Sequence, residues 1–295
     1  KITANKAGEA YIKVVHKPSQ KTSYFDVTVR EDAIIILPGI MGSTLIAKES
    51  FPLHNNVGAP TFDAGDVIWP PSFSDLLIID AKISLLKQDE SGTSVYNVGE
   101  RAPKVNTIVD GDNQYGALNT YKNLYFMLYA NYNNIYDIIL YEYDWRKDPY
   151  DTANELDTYI SNNCGRVIFV SHSMGGLVSS YYLAKGIVQR ERVIKHISLG
   201  TPYLGAEKMP YVMMTGNALE WYQNIVVQSA ISEISWNMAS IYALLPPEEY
   251  FRAFMKSSYT APSGTISFED YQTYNDTLDA LKEKGIGRPS TRAAI

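Results

Sequence analysis

One segment restricts the fold of this chain more than any other. An apolar run at 167–170 leads through a very short turn into a helical pattern that begins at Met174. Ser173 stands at the apex of that turn, with the small residues Ser171 two positions before it and Gly175 two positions after it. A strand can enter a helix this abruptly only where the residues flanking the apex are small, so the pattern predicts a nucleophile elbow.

Around this segment, strand patterns alternate with helical patterns from residue 31 onward. Continuous β-branched or apolar runs predict buried strands, and amphipathic stretches predict helices between them. Alternation of this kind predicts an α/β fold with a mostly parallel sheet and helices on both faces. The predicted strands are 33–37, 135–141, 166–171 and 196–199, and the predicted helices are 121–132, 152–162 and 174–187.

Two regions interrupt the alternation. Residues 43–120 contain scattered Pro and Gly, and we predict a long irregular insertion there, near the mouth of the site. An amphipathic, aromatic pattern over about 205–290, which includes Trp221, predicts a helical cap. The cap helices either cover an apolar site as a lid or pack as an ordinary core-facing set.

Residues 1–30 differ in pattern from the rest of the chain. Two alternating segments at 9–15 and 23–30, separated by the turn-rich stretch 17–21, predict a β-hairpin. The pattern resembles the last two strands of bacterial Ig-like domains, which occur on surface and secreted proteins. The alternative is an extra hairpin on the edge of the main domain. The resemblance implies an Ig-like remnant at 1–30, a second domain at 31–295, and a secreted or cell-surface bacterial location.

The predicted elbow indicates nucleophilic chemistry. Its helix start directs the backbone N–H of Met174 to the place where an oxyanion forms beside Ser173. The second donor is expected from the loop after strand 33–37, where we assign the N–H of Ile40. A phosphate-binding loop is excluded there, because no Gly-Lys-Ser or Gly-Lys-Thr follows.

A catalytic serine needs a histidine and an acid, in the chain order Ser, acid, His. His172 lies on the strained turn itself and is predicted to be structural, whereas His196 opens a predicted core strand. We therefore expect the acid and the histidine beyond Ile295, with the domain incomplete in these 295 residues. The aspartates of the cap sequence, none of which is predicted to be the acid, are Asp270, Asp276 and Asp279.

Residues 143–146, Tyr-Asp-Trp-Arg, directly follow a predicted strand. Asp144 and Arg146 are predicted to form a structural clasp through charge-assisted hydrogen bonds. The alternative is that this segment, with Trp145, lines an acyl pocket. The single cysteine, Cys164, precedes a predicted strand and is expected to be a small buried hydrophobe.

Composition narrows the range of partners. A net charge of −6 argues against nucleic acid, because phosphate binding requires a basic face. No apolar run approaches the 18 residues of a membrane span. A chain of this length builds its core without metals or disulfides, and we expect neither a metal nor a cofactor.

Five motifs in fixed order carry a family resemblance. They are Leu-Pro-Gly-Ile-Met-Gly-Ser at 37–43, Val-Ile-Trp-Pro at 67–70, Tyr-Asp-Trp-Arg at 143–146, Ser-His-Ser-Met-Gly-Gly at 171–176 and Leu-Gly-Thr-Pro-Tyr-Leu-Gly at 199–205. Together they resemble the lecithin:cholesterol acyltransferase family of lipases and acyltransferases.

The resemblance implies an α/β-hydrolase fold and a serine acylhydrolase or O-acyltransferase that acts on lipid acyl esters. It also implies transient contact with a membrane or lipid surface, and it places Trp69 near the acyl site as a pocket or lid residue. The alternative is a non-catalytic surface-binding protein that keeps a hydrolase fold.

Overall fold

The computed structural model describes residues 7–52, 61–72, 75, 78–107, 119–218, 225–261 and 264–283. The strands are β1 (Gly8–His16), β2 (Lys21–Val29), β3 (Ala33–Leu37), β4 (Leu45–Ala47), β5 (Phe51–Pro52), β6 (Thr61–Phe62), β7 (Val67–Trp69), β8 (Val98–Glu100), β9 (Lys104–Val105), β10 (Asp137–Leu140), β11 (Val167–His172), β12 (Val193–Leu199), β13 (Ser257–Ala261) and β14 (Gly264–Phe268). The helices are α1 (Ile79–Ser84), α2 (Lys122–Tyr132), α3 (Pro149–Asn163), α4 (Met174–Ala184), α5 (Ile187–Arg192), α6 (Lys208–Thr215), α7 (Ile225–Ser235), α8 (Ala239–Ala243), α9 (Glu248–Phe254) and α10 (Tyr271–Glu283).

The centre of the protein is a five-stranded sheet in the order β12-β11-β3-β10-β9. β3 pairs in parallel with β10 and β11, and β11 pairs in parallel with β12. β9 joins the edge at β10 in the antiparallel direction. All five side chains of β3 are buried, as expected for a β-branched run covered on both faces. The predicted α/β architecture is confirmed.

Alternate side chains of β3 enter two separate hydrophobic clusters, because successive residues of a strand point to opposite faces. Ile34 and Ile36 pack in one cluster with side chains of α2. Ile35 and Leu37 pack in the other with side chains of α3 and α4. Helices therefore cover both faces of the sheet, as predicted.

Three predicted boundaries differ from the structure by three residues. α3 begins at Pro149 rather than at 152, because the side chain of Asp148 caps the helix and proline suits its first turn. The predicted helix 174–187 ends at Ala184, and α5 follows as a separate helix after Gly186. β12 begins at Val193, three residues before the predicted start.

The prediction of a long irregular insertion at 43–120 is wrong for its described residues. β4, β7 and β8 form an antiparallel sheet in the order β7-β4-β8, and α1 packs beside β7. Each of these strands has only three residues, too few for alternation to be visible in the sequence. β4, β7, β8 and α1 together form a platform, and Trp69 at the end of β7 contacts the loop after β3.

The predicted cap is formed mainly by α6 to α10. The hairpin of β13 and β14 was missed, because its Ser- and Thr-rich strands show an apolar alternation only over the short stretch from Thr265 to Phe268. α7 packs against α6 and α1, and its residues Ile231 and Ile234 belong to the same cluster as Ile35. The cap helices are therefore core-facing, whereas Trp221 lies outside the described residues. No helix in the described part of the chain is long and apolar enough to cross a membrane.

The predicted N-terminal hairpin forms, and β1 and β2 make a two-stranded antiparallel sheet of their own. Most of its side chains are exposed, including Tyr11 and Phe25. Ile12 lies opposite Phe25 on one apolar face of the hairpin. The assignment of residues 1–30 to an Ig-like domain stays a prediction.

Candidate active site

The strand–turn–helix geometry expected around Ser173 is present. β11 runs into α4 through Ser173, whose backbone has φ 51° and ψ −126°. A residue with a side chain rarely adopts this region, and doing so costs about 1–3 kcal/mol. Two hydrogen bonds of 2.9 Å hold the turn, from the Ser173 N–H to Leu199 O and from the Gly176 N–H to Ser173 O.

Glycine is required at the start of α4 for a reason other than the one expected. In a turn this tight, the residues two positions before and two positions after the apex nearly touch, and small residues were expected at 171 and 175 for that reason. The nearest obstacles to a Cβ on Gly175 are instead the carbonyl oxygens of Leu37 and Pro38, at 2.4 and 2.5 Å. Gly175 thus allows α4 to lie directly against the end of β3.

Ser171 belongs to a buried hydroxyl network below the turn. Its Oγ donates to Ser179 Oγ at 2.9 Å, and Ser179 also contacts His196 Nε2 at 2.8 Å. The Ser179 hydroxyl lies 3.2 Å from both the Gly175 and the Gly176 carbonyl oxygens. This network joins β11 and β12 to the first turn of α4.

The loop at 38–43 lies against Ser173. A Cβ on Gly39 would be 2.8 Å from Ser173 Cβ and 3.3 Å from Ser173 Oγ. Trp69 Nε1 donates to Met41 O at 2.9 Å, which attaches this loop to β7. The expectation that the loop after β3 and the turn at Ser173 meet at the carboxyl end of the sheet is therefore met.

Two tyrosines that sequence reasoning missed also hold this loop. The Gly39 N–H donates to Tyr121 Oη at 2.8 Å, and Tyr143 Oη donates to Pro38 O at 2.5 Å. Both side chains are buried. No local signal predicts these bonds, because Tyr121 is 82 residues from Gly39 and Tyr143 is 105 residues from Pro38.

The two backbone donors assigned from the sequence carry no competing hydrogen bond. Within the described residues, neither the N–H of Ile40 nor that of Met174 donates to a backbone or side-chain acceptor. Met174 is the first residue of α4, where helical N–H groups have no partner in their own helix. Both N–H groups are therefore available to an anionic oxygen.

Neither histidine near the turn is bonded to Ser173. His172 Nδ1 lies 2.9 Å from Tyr121 Oη, and His196 Nε2 is bonded to Ser179. Burial lowers the pKa of both imidazoles, which favours their neutral forms. His54 lies outside the described residues, and His16 contacts Ser19 in the hairpin.

The cap aspartates make local contacts. Asp270 Oδ1 accepts the N–H of Thr273 at 2.8 Å, at the start of α10. Asp276 and Asp279 each accept an amide side chain four residues earlier on that helix. All three aspartates therefore have local hydrogen-bond partners at or within α10. The expectation that none of them is the acid stays a prediction.

Asp144 and Arg146 form the predicted clasp. The guanidinium is fully buried and bonds both carboxylate oxygens of Asp144, at 2.9 and 2.7 Å. It also donates to the carbonyl oxygens of Leu86 and Val98. The clasp therefore joins the segment after β10 to the platform, at β8 and just after the end of α1.

A narrow apolar cavity opens beside the 38–43 loop. Its walls include Ile40 and Met41 of that loop, together with Trp69 and Trp145, whose ring centroids are 5.7 Å apart. Residues of α7, among them Ile231, complete the lining. Trp145 thus lies next to the clasp and also forms part of the wall of this apolar cavity. Whether the cavity receives an acyl chain stays a prediction.

Cys164 is buried, as expected. Burial raises the pKa of its thiol to about 12, so the thiolate is not populated near neutral pH. It is a packing residue at the end of α3.

The chain is similar to known proteins in two comparisons. A family model described as lecithin:cholesterol acyltransferase matches residues 111–287. The crystal structure of the Bacillus licheniformis lipase BlEst2 in mature form matches this chain with 19% sequence identity and a TM-score of 0.30. The match covers 45% of this chain and 62% of the lipase chain. A comparison with curated proteins found no match.

The family match includes the turn at Ser173, segment 143–146 and the end of β12, and it starts after Ile40 and Trp69. It covers more than half of the chain. The protein therefore belongs to the lecithin:cholesterol acyltransferase family.

Proposed function

We propose that this protein is a serine acylhydrolase or O-acyltransferase that acts on lipid acyl esters, with Ser173 as its nucleophile. The observation that carries the proposal is the strained Ser173 backbone, at φ 51° and ψ −126°, beside the 38–43 loop. The Ile40 N–H of that loop has no acceptor among the described residues. Strain of this kind persists where the surrounding structure enforces it, and it concentrates at active sites.

The proposed reaction proceeds through an acyl-enzyme. Ser173 Oγ bonds to the ester carbonyl carbon while its proton passes to a base, and the carbonyl π electrons move to the oxygen. The N–H groups of Ile40 and Met174 stabilise that oxyanion. When the tetrahedral intermediate collapses, the ester C–O bond breaks, and the base returns the proton to the leaving oxygen, which departs as a neutral alcohol. Water or an acceptor alcohol then takes the acyl group from Ser173.

The base and the acid are proposed to come from residues outside the described part of the chain. His172 and His196 are already bonded to other groups. β12 pairs with β11 on one side, and its apolar residues Ile194, Ile197 and Leu199 are about two-fifths exposed. An edge of this kind is suited to further strands, which would bring their ends close to Ser173.

The substrate class is inferred from the apolar cavity. Because its walls begin at Ile40, the acyl chain of an ester whose carbonyl lies beside the Ile40 N–H would run next to this cavity. We expect Ile231→Ala, which widens the cavity, to raise the ratio of kcat/KM for octanoyl over butyryl esters. An unchanged ratio would place the acyl chain elsewhere.

Contact with a lipid surface and an extracellular location are further parts of the proposal. Phe254 and Met255 are 57% and 82% exposed at the end of α9 in the cap. Exposed apolar pairs of this kind suit shallow insertion into a lipid interface. Flotation with phosphatidylcholine vesicles should decrease in Met255→Ser.

The secreted or surface location rests on the hairpin pattern and is tested by detecting the protein in the culture medium or cell-surface fraction.

Labelling with a fluorophosphonate tests the nucleophile. In the full-length natural protein, Ser173 Oγ should displace fluoride from the reagent, and the labelled peptide should contain Ser173. Ser173→Ala should abolish both labelling and ester hydrolysis. Ser180→Ala, a matched change on the same helix, should retain both. Labelling that persists in Ser173→Ala would refute the assignment of Ser173 as the nucleophile. A wild-type protein that is not labelled at all would favour the alternative of a non-catalytic binding protein.

A further inference from the structure

The peptide unit between Pro38 and Gly39 is held at both of its ends. Its carbonyl oxygen accepts from Tyr143 Oη at 2.5 Å, and its N–H donates to Tyr121 Oη at 2.8 Å. A peptide unit is planar, so two bonds at opposite ends leave it little freedom to rotate.

The next peptide unit is oriented as a consequence. Its carbonyl oxygen, Gly39 O, accepts the N–H of Gly42 at 3.0 Å. Its N–H belongs to Ile40 and is free of hydrogen bonds within the described residues. Because the C=O and N–H of a planar trans peptide point in opposite directions, holding Gly39 O sets the direction of the Ile40 N–H.

Both phenols are well suited to a fixed role. Tyr121 and Tyr143 are 5% and 1% exposed, so water does not replace a lost hydrogen bond there. Burial raises the pKa of both hydroxyls, which keeps them protonated. Tyr121 Oη accepts from Gly39 and is also 2.9 Å from His172 Nδ1, a suitable acceptor for the phenol proton.

We propose that Tyr121 and Tyr143 are positioning residues that aim the Ile40 N–H at the oxyanion formed on attack by Ser173, with His172 orienting the Tyr121 hydroxyl. The inference rests on the proposed function. It assigns His172, the neighbour of the nucleophile, to the alignment of the oxyanion donor and not to proton transfer.

Kinetics of the full-length natural protein with p-nitrophenyl butyrate test the proposal. Loss of one oxyanion donor lowers kcat by about 10²–10³-fold, so its misalignment in Tyr121→Phe or Tyr143→Phe should lower kcat by about 10-fold or more. KM should stay within about twofold, because the donor acts mainly in the transition state. An alkyl boronic acid forms a tetrahedral adduct with serine that resembles the transition state. In Tyr121→Phe and Tyr143→Phe, its inhibition constant should therefore rise in proportion to the fall in kcat/KM.

Two further variants separate positioning from a general loss of stability. Tyr125→Phe removes a buried hydroxyl on the same helix that is bonded to Thr107 N, and it should leave kcat unchanged. His172→Ala should lower kcat, and His172→Asn should restore part of it, because an asparagine side chain can replace Nδ1. The His172 side chain is partly exposed, unlike the two buried tyrosines, so this comparison stays informative even if the phenylalanine variants do not fold.

The outcomes distinguish this inference from the proposed function. If Ser173→Ala remains active, the proposed function fails. If Ser173→Ala is inactive while Tyr121→Phe, Tyr143→Phe and His172→Ala keep the wild-type kcat and boronate affinity, only the positioning proposal is overturned. An equal loss of activity in Tyr125→Phe would also overturn it, because the effect would then come from the removal of any buried hydroxyl.

Discussion

Replacing Gly175 with alanine introduces one methyl group at the closest approach between α4 and β3. The new Cβ would lie 2.4 Å from Leu37 O and 2.5 Å from Pro38 O. These distances are about 1 Å short of an ordinary contact, which begins near 3.4 Å. Both obstacles are backbone atoms, so no side-chain rotation relieves the overlap. The turn at Ser173 and the 38–43 loop must move apart.

The size of the effect follows from that displacement. Overpacking in a close-packed core costs about 1–3 kcal/mol, and a clash with two backbone oxygens should lie near the upper end, at about 3 kcal/mol. In a domain of this size that corresponds to a decrease of roughly 6–12 °C in Tm. A shift of about 1 Å between Ser173 and the Ile40 N–H should lower kcat by about 10²-fold.

Urea unfolding and ester hydrolysis measure the two effects. Gly186→Ala is the matched control, because a Cβ there meets only the end of the Gln189 side chain, at 3.3 Å. That variant should unfold within about 0.5 kcal/mol of wild type. If Gly175→Ala matches Gly186→Ala in both stability and kcat, then the contact between α4 and β3 does not restrict the turn, and our reasoning about it is wrong.

Two further predictions concern buried charge. Arg146→Met should lower the free energy of unfolding by about 3–5 kcal/mol, because it leaves the Asp144 carboxylate buried and unpaired. Urea unfolding measures this change, and a clearly smaller loss would contradict the reasoning. Burial lowers the pKa of His196 below 6.5 in the folded state. The unfolded state therefore binds more protons, and stability should fall as the pH decreases through about 6.5. His196→Gln should weaken that pH dependence, which unfolding at pH 7.5 and 5.5 would measure.

Local patterns account for the parts of the structure that were predicted correctly. β3 is apolar throughout, with three consecutive isoleucines, and such a run is typical of a strand covered on both faces. Ser173 and Gly175 are neighbours in the chain, so the turn geometry is visible in a short window. Asp144 and Arg146 are two residues apart, and their opposite charges indicated the clasp. In each case the interacting groups are close in sequence or share a period.

The regions that were missed have short elements or distant partners. The three-residue strands of the 43–120 region cannot display a period of two, so the sheet β7-β4-β8 was taken for irregular structure. The hairpin of β13 and β14 has Ser- and Thr-rich strands of five residues each, in which few apolar side chains mark the buried face. In both regions the strands are too short or too polar for a strand period to stand out.

The sequence by itself determined the α/β architecture and the strained turn at Ser173, because hydrophobic period and residue size act over a few neighbouring positions. Only the tertiary structure decided how the 38–43 loop is held. Tyr121 and Tyr143 reach Gly39 and Pro38 across 82 and 105 residues. A hydrogen bond between such distant residues leaves no periodic trace in the sequence, since it depends on where the folded sheet brings the strand ends together.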